Sequence, residues 1–222
     1  MLHDATLVAA KDLRIERRSH VTSRQVAPFA LLVLVLFAFA LDPDRGVLDR
    51  AAPGLFWLAV VFSAVLAVQR SVAVEATDRA GDALRLAGLD PAGIFLGKAA
   101  AVAAQLFVLE ALLAFGIAVL YGTTLRAPLV LVAAAVLATI GLAAAGTAYA
   151  AVAGGLGARD TLLPLLLLPV VAPVLLGATR AWEASLQGVP GEALPWLELL
   201  AAFAVLYVAL GIAGYGVLQE ES

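Results

Sequence analysis

The sequence contains no cysteine, and histidine occurs at only two positions, His3 and His20. Without cysteine the chain has no disulfide bond, no thiolate metal ligand and no cysteine nucleophile. Both histidines lie in the polar N-terminal tail, so the rest of the chain offers neither a histidine-based metal cluster nor a Ser–His–Asp arrangement. The sequence therefore predicts no metal site, no directly bound cofactor and no enzymatic activity of its own.

Charged residues are also scarce. They make up 14% of the 222 residues, hydrophobic residues make up 63%, and the mean hydropathy is +1.00. A soluble domain carries about 25% charged residues, so the composition excludes an ordinary globular protein. The net charge of −3 is small. Basic residues neither dominate nor alternate with aromatic residues on a polar segment, which argues against a nucleic-acid partner.

Six apolar stretches fill most of the chain. They predict an all-α, polytopic membrane protein with six transmembrane helices, forming one permease domain over residues 1–222. Crossing the hydrocarbon layer takes roughly 20 helical residues, so the first two stretches, which are short, must borrow flanking residues. The predicted spans are Val26–Leu41, Gly54–Gln69, Ile94–Tyr121, Pro128–Ala153, Thr161–Thr179 and Trp196–Leu218.

Lysine and arginine positions predict the orientation of these spans. Basic residues cluster in residues 1–25, which we interpret as a retained tail, and in the charged loop after the second span. By the positive-inside rule both termini and this loop are cytoplasmic. The basic residues of the opposite side are fewer: Arg45, Arg50, Arg126 and Arg180.

The three tryptophans provide a second indication of orientation. Trp57, Trp182 and Trp196 all fall near the predicted outer ends of spans. Indoles prefer the membrane–water interface, so we expect these side chains to sit there.

The longest charged insert, residues 70–93, joins the second and third predicted spans. Treated as a helix, Arg70–Asp90 has small apolar residues on one side and charged residues on the other. Such a helix would dock in a groove of a cytoplasmic partner and transmit its motion. The alternative is a solvated connector whose small apolar face rests on the bilayer. The candidate contact residues are Arg70, Glu75, Asp78, Arg79, Asp82, Leu84 and Arg85.

A basic stripe lies in the N-terminal tail. Lys11, Arg14 and Arg18 share one side of a helix, with Asp12 and Glu16 roughly opposite. One interpretation is a short helix at the cytoplasmic interface, attracted by anionic membrane lipid. The other is a charge cluster that sets topology and does nothing more.

Two ionisable residues enter the third predicted span. Lys98 lies near its cytoplasmic end, where the ammonium can extend to the interface. Glu110 lies roughly 18 Å further along the helix, near mid-span. A charged carboxyl at that depth costs about 2.5–3.5 kcal/mol unless it is paired, protonated or hydrated. Glu110 is therefore a candidate for lining a substrate pathway or a subunit contact. The alternative is a protonated carboxyl hydrogen-bonded inside the bundle.

The fifth predicted span contains Pro164, Pro169 and Pro173. Each proline removes one internal hydrogen bond, so we expect this helix to bend or break. Irregular backbone in a bilayer is tolerated beside protein or a watery cavity. The pattern predicts a gate or pivot, with a passively kinked packing helix as the alternative.

A glycine-containing segment before Lys98 has partial likeness to a phosphate-binding loop. Gly93 and Gly97 precede the lysine, but Ala92 and Ala99 replace the first glycine and the magnesium-binding hydroxyl. The segment also opens a membrane span rather than following a strand. ATP binding of that kind is therefore excluded.

Several segments resemble the haem exporter protein B family (CcmB). They are Lys11–Arg17 (KDLRIER), Phe29–Val33 (FALLV), Phe39–Ala40, Ala52–Trp57 (APGLFW) with Arg70 closing the second span, and Leu168–Pro173 (LPVVAP). The likeness covers most of the chain, in order and with the same number of spans.

The resemblance implies the permease half of an ATP-binding-cassette exporter used in cytochrome c maturation, in the cytoplasmic (inner) membrane of a bacterium. It implies a separate CcmA-like ATPase that engages Arg70–Asp90, a CcmC-like haem-handling membrane protein, and a homodimer that builds the pathway. Haem is a possible substrate. Family members often carry an acidic residue after the leucine of the coupling segment, where this chain has Arg85 after Leu84.

Three other functions fit the same pattern. The chain could be the permease of an ATP-driven exporter for a lipid, polysaccharide or drug. It could be an assembly scaffold that moves nothing. An ion-coupled secondary transporter would rest on Glu110 alone.

Overall fold

The computed structural model describes the backbone of residues 1–19, 26–41, 45–78, 88–155 and 159–220. Throughout these ranges every extended regular element is helical, which confirms the all-α prediction. A short 3₁₀ turn, Pro190–Ala193, leads into the last helix. The helices are α1 (Leu2–Ser19), α2 (Ala27–Leu41), α3 (Arg45–Asp78), α4 (Pro91–Leu120), α5 (Pro128–Gly155), α6 (Arg159–Leu186) and α7 (Leu194–Glu220).

Within the described ranges, five segments are long and apolar enough to cross a membrane: Gly46–Arg70, Pro91–Leu120, Pro128–Ala153, Pro164–Leu186 and Pro190–Val217. The other apolar helix, α2, has 15 residues. Its length is about 22 Å at 1.5 Å per residue, against the roughly 30 Å of a hydrocarbon core. Five of the six predicted spans thus have spanning length, and the span at α2 stays a prediction.

Helix α3 begins earlier than predicted, at Arg45 instead of Gly54, and contains Pro53 in its interior. The second apolar stretch is short and was expected to borrow flanking residues, and the helix takes them on this side. In the structure Asp49 and Arg50 are exposed, whereas Leu48 and Ala52 on the other side are buried. The helix can therefore continue outward, because one face stays packed while water solvates the charges.

Helix α4 also starts earlier than predicted, at Pro91 rather than Ile94. The Asp90 carboxylate accepts a hydrogen bond of 3.1 Å from the backbone N–H of Ala92 and so caps the helix. Pro91 occupies the first helical position, where its missing N–H costs nothing. Pro91 and Gly93 therefore belong to the helix.

Helix α5 is the centre of the bundle and packs against α3, α4, α6 and α7. Small residues allow the close approach. A Cβ added at Gly146 of α5 would lie 2.7 Å from Val68 of α3. Helices α4 and α7 also meet closely, where Gly211 of α7 faces Phe95 of α4. A Cβ added at Gly211 would overlap the phenyl ring.

Side-chain hydrogen bonds hold the ends of several helices together. The Tyr121 hydroxyl donates to the main-chain carbonyl of Leu34 at 3.1 Å, which ties α2 to the end of α4. The Ser185 hydroxyl of α6 lies 2.7 Å from the carbonyl oxygen of Arg126, in the turn before α5. In the same turn, the Thr123 hydroxyl donates a hydrogen bond to the Asp49 carboxylate of α3 at 3.2 Å.

Candidate coupling and pathway sites

The predicted coupling segment is described only in part. Arg70 is half-exposed. Glu75 and Asp78 lie in the last turns of α3, where the structure describes the backbone but not the side chains. The contacts that these residues were predicted to make with a partner therefore stay predictions. The members that fall outside the described residues are Arg79, Asp82, Leu84 and Arg85.

The first part of this segment is continuous with a membrane helix. We expected Arg70–Asp90 to be a helix of its own, but α3 runs without interruption from its apolar core, which ends at Arg70, to Asp78. These eight further residues extend the helix by about 12 Å. A force applied near Asp78 is therefore transmitted directly to the apolar part of α3.

Arg70 joins α3 to the N-terminal helix. Its guanidinium Nε lies 3.5 Å from the Glu16 carboxylate of α1. The Arg70 side chain is 35% exposed and that of Glu16 is 14% exposed. Water screens such a pair, so it guides the relative position of α1 and α3 more than it stabilises them.

The N-terminal helix α1 docks on α4 through two glycines. A Cβ at Gly93 would lie 2.8 Å from the carbonyl oxygen of Met1, and a Cβ at Gly97 would lie 2.6 Å from that of Ala5. Further along, residues 12–16 of α1 and 101–105 of α4 line a common crevice. The two helices therefore run side by side in the same direction. The glycines that partly resembled a phosphate loop form a close helix–helix contact.

The charges of α1 are sorted between its two faces. The acidic side chains turn toward the bundle: Asp4, Asp12 and Glu16 are 21%, 15% and 14% exposed. Arg14 and Arg18 of the predicted basic stripe are exposed. Lys11 differs, because its ammonium lies 3.0 Å from the Asp12 carboxylate and its side chain is only 32% exposed. The helix is confirmed, and its contact with a membrane stays a prediction.

Asp4 fixes the start of α1 against the start of α4. Its carboxylate accepts hydrogen bonds from the Met1 ammonium at 3.2 Å and from the backbone N–H of Asp90 at 3.3 Å. These two donors, the ammonium first, lower the pKa of the Asp4 carboxyl. The same interaction raises the pKa of the Met1 ammonium.

Lys98 does not extend to an interface. The expectation that its ammonium reaches water is wrong, since the residue is only 4% exposed. It follows Gly97, and α1 covers this part of α4. The sequence could not indicate that α1 covers Lys98, because the contact joins two segments that are far apart in the chain.

Glu110 lies in the bundle between α4 and α5 and is 4% exposed. The Thr139 hydroxyl of α5 donates a hydrogen bond to its Oε1 atom. Its Oε2 atom is buried and has no partner among the described residues. The predicted alternative of a carboxyl hydrogen-bonded inside the bundle is therefore confirmed for one oxygen, while its protonation and any pathway role stay predictions.

Glu110 also lines a cavity of about 280 Å³, which we call the Glu110 cavity. Phe107 and Ala111 of α4 lie on one side, and Val132 of α5 lies on the other. Phe56 of α3 and Trp182 of α6 complete the wall. Val132 is 60% exposed, so the cavity opens on the surface of the bundle between α4 and α5. Glu110 is its only ionisable lining residue among those that the structure describes.

Burial corrects the expectation for two tryptophans, Trp182 in the wall of this cavity and Trp57 beside Trp182. Trp57 and Trp182 are 1% and 3% exposed, so both are buried rather than placed at an interface. The Phe56 and Trp182 rings stack with centroids 3.9 Å apart, and Trp57 meets Trp182 edge-on at 5.8 Å. Neither indole N–H has a partner among the described residues.

The three prolines of α6 do not break it. Arg159–Leu186 is one continuous helix that contains Pro164, Pro169 and Pro173. A break is wrong, whereas a bend stays a prediction. Near the third proline, the Tyr207 hydroxyl of α7 donates to the carbonyl of Val170 at 2.6 Å and holds α7 against α6. A gate or pivot at α6 stays a prediction.

The chemistry available at these sites is limited. Among the described residues, no group of three or more His, Asp or Glu side chains could hold a metal ion. Sequence reasoning found Glu110 but missed Thr139 and Phe56, which carry no signal in one sequence. The Gly93–Gly97 spacing was visible, since small residues four positions apart are typical of close helix contacts.

Comparison with known proteins extends over nearly the whole chain. The family model described as CcmB protein matches residues 4–216. A protein of Pseudomonas aeruginosa named Heme exporter protein B is 30% identical over 211 residues, which is 94% of either chain. The protein of that name from Paracoccus denitrificans is 32% identical over 204 residues, covering 90% of this chain and 91% of the relative. The Rhodobacter capsulatus protein of the same name is 30% identical over 201 residues, with the same coverage.

Proposed function

Because this chain belongs to the CcmB protein family, we propose that it is the membrane permease subunit of an ATP-binding-cassette exporter that handles haem for cytochrome c maturation. The observation that carries the proposal is the match at 30–32% identity over at least 90% of the chain to proteins named Heme exporter protein B. The chain is a multi-pass membrane protein, with five segments of spanning length in its described part. ATP hydrolysis takes place in a separate partner.

The orientation follows from counting α2 as a sixth span. An even number of spans leaves both termini on one side, and the arginine-rich tail and the charged loop make this side cytoplasmic. Localisation in a bacterial inner membrane accords with this assignment. Of the six spans, α2 is the one whose length supports a membrane crossing least.

Coupling begins at the extension of α3. The ATPase engages residues 70–93, and the uninterrupted helix through Asp78 passes the motion into the apolar part of α3. The Arg70–Glu16 pair and the docking of α1 on Gly97 transmit part of the same motion to α4. One cytoplasmic contact can thus move three helices together.

The pathway lies at a seam between two copies of the chain, in a complex that also contains a CcmC-like haem-handling protein. Glu110 is the best candidate for a pathway wall, because it lines a cavity at the bundle surface. Pro164, Pro169 and Pro173 make α6 the candidate pivot, since each lowers the number of hydrogen bonds that resist bending. Any haem ligand would come from a partner protein.

Charge reversal in the coupling segment tests the proposal. The complex is purified through this chain in mild detergent, and the co-purifying proteins, the ATPase rate and the haem spectrum are recorded. The triple variant Glu75→Lys, Asp78→Lys, Asp82→Lys should slow the ATPase rate of the assembled complex while the partners still co-purify. Glu192→Lys, an exposed charge reversal in the 3₁₀ turn, is the matched control and should behave like the parent.

Other results assign other functions. An ATPase that co-purifies without haem or a haem-handling protein indicates an exporter for another substrate. Lost assembly with an unchanged intrinsic ATPase rate indicates a scaffold. If no ATPase co-purifies even after crosslinking, the proposal is wrong, and a proton-dependent activity abolished by Glu110→Gln would indicate an ion-coupled transporter.

A further inference from the structure

Three exposed arginines lie together on one side of the N-terminal helix α1. They are Arg14, Arg17 and Arg18, which we call the arginine face. At 3.6 residues per turn, the three positions fall within about 100° of the helix circumference. None of the three side chains forms an ion pair with another residue in the part of the chain that the structure describes. Their guanidinium groups therefore point to an anion that the described chain does not supply.

The carboxylates of the same part of α1 lie on its opposite side. Asp12 and Glu16 are 15% and 14% exposed, and Glu16 pairs with Arg70 of α3. Lys11, which the sequence placed in the basic stripe, pairs with Asp12. The face that points away from the bundle thus contains Arg17 in place of Lys11. Its three positive charges have no carboxylate beside them among the described residues, so the face complements an anionic partner.

The arginine face lies at the level where a membrane surface is expected. Residues 12–16 share a crevice with Ala67 and Arg70 of α3. The apolar, span-length part of α3 ends at Arg70. Farther along the chain, α2 exposes large apolar side chains from its first turns, with Phe29 and Leu32 56% and 54% exposed. Exposed cations followed by exposed apolar side chains are typical of the boundary between lipid headgroups and hydrocarbon.

Phosphate is the anion that this boundary supplies. A guanidinium group donates paired hydrogen bonds to phosphate oxygens. A zwitterionic headgroup adds a cation of its own, which would meet three arginines with no carboxylate to balance it. A headgroup with net negative charge adds no such cation, and anionic lipids attract basic segments next to membrane spans. The acyl chains of the same lipids also suit the exposed apolar side of α2, which an acidic soluble protein would leave uncovered.

We propose that Arg14, Arg17 and Arg18 bind the phosphate groups of anionic glycerophospholipids in the cytoplasmic leaflet. Helix α1 then contacts lipid headgroups on one side and α4 on the other. The choice of leaflet rests on the orientation proposed above, whereas the binding itself depends neither on the exported substrate nor on the partner ATPase. The experiment below detects binding in either leaflet, so a failure of lipid binding is distinguishable from a failure of the exporter proposal.

A fluorescent label on α1 tests the proposal. The chain has no cysteine, so Ala10→Cys places a single bimane label on the exposed side of α1, one turn before Arg14. The full chain in phosphatidylcholine nanodiscs receives increasing mole fractions of phosphatidylglycerol with a spin label on one acyl carbon. A parallel series uses phosphatidylcholine labelled at the same carbon. Phosphatidylglycerol should reach half-maximal quenching at a mole fraction at least roughly fivefold lower, the effect of one basic residue near an anionic surface.

Two variants locate the headgroup. The triple variant Arg14→Gln, Arg17→Gln, Arg18→Gln should abolish the preference, so that both lipids quench equally. Lys11→Gln removes a positive charge from the same helix, but one that is paired with Asp12, and this matched control should keep the preference. If the triple variant does not fold, Arg17→Gln alone should lower the preference relative to Lys11→Gln.

Three results would overturn the proposal. One is equal quenching by the two lipids in the parent. Another is a preference that survives in the arginine variants or is lost equally in Lys11→Gln. The third is loss of the preference in excess soluble glycerol phosphate at constant ionic strength, which would assign the arginines to a free phosphate compound instead of a membrane lipid.

Discussion

The docking of α1 on α4 predicts the effect of a single added methyl group. Gly97→Ala would bring a Cβ to 2.6 Å from the carbonyl oxygen of Ala5 and 2.7 Å from the Cβ of Val8. Real Cβ atoms essentially never come within 3.0 Å of another heavy atom in this way. The first obstacle is backbone, which cannot rotate aside, so α1 as a whole must move away from α4.

The magnitude follows from the packed contact. Forcing an extra methyl into such a contact costs about 1–3 kcal/mol. The preference of roughly 0.5–1 kcal/mol for alanine over glycine inside a helix cancels, because α4 is helical whether or not α1 is docked. The loss of docking free energy is therefore about 1–3 kcal/mol, which raises the undocked population of α1 roughly 5- to 160-fold.

Limited proteolysis measures that population, because trypsin cleaves after the exposed Arg14, Arg17 and Arg18 only when α1 opens. When opening is fast relative to cleavage, the rate follows the open population. The matched control is Gly214→Ala in α7, where an added Cβ has no heavy atom within 4 Å. Gly97→Ala should be cleaved faster than the parent and Gly214→Ala should not. Equal cleavage of all three proteins would refute the docking geometry.

Three further perturbations have defined outcomes. Gly211→Ala should lower the melting temperature, because its methyl group overlaps the Phe95 ring. Adding Phe95→Leu to the same chain should recover part of this loss. Strictly additive losses in the double-mutant cycle would count against the contact. Tyr121→Phe and Tyr207→Phe each remove a hydrogen bond to a main-chain carbonyl, and each should reduce the free energy of unfolding by about 0.5–1.5 kcal/mol in denaturant titrations, whereas unchanged midpoints would argue against those bonds. The Asp4 carboxyl has a lowered pKa in the folded protein, so its contribution is present above the ordinary value of 3.8 and disappears as the pH falls through the folded value. Amide exchange in residues 2–10, corrected for intrinsic rates, should therefore accelerate at the acid end in the parent but not in Asp4→Asn.

The lengths of apolar runs predicted most of the helical architecture, and the differences lie at helix starts and at the prolines of α6. The second predicted span begins at Gly54 and was expected to borrow flanking residues, and the helix extends back to Arg45. The prolines of α6 were expected to bend or break the helix, and the helix is continuous. A single sequence does not show which neighbour lies beside a segment, so it indicates neither how far α3 extends nor that α6 stays whole.

The candidate sites divide in a similar way. Glu110 was predictable because a carboxyl group within an apolar run is costly wherever the helix packs. Its partner Thr139 was not predictable, since the register between α4 and α5 depends on packing along both helices. Gly93 and Gly97 showed their spacing in the sequence, but the helix that packs on them is α1, which lies far away in the chain.

That distance along the chain has a consequence for how the protein is made. Asp4 and Asp90, which meet at the start of the α1–α4 contact, are 86 positions apart. At a synthesis rate of about 5–20 residues per second, the ribosome needs roughly 4–17 seconds to add the intervening residues. During this interval the inward face of α1, with three acidic side chains, has no α4 to cover it. Helix α1 must therefore wait for α4, which is made later, before it can take its final position.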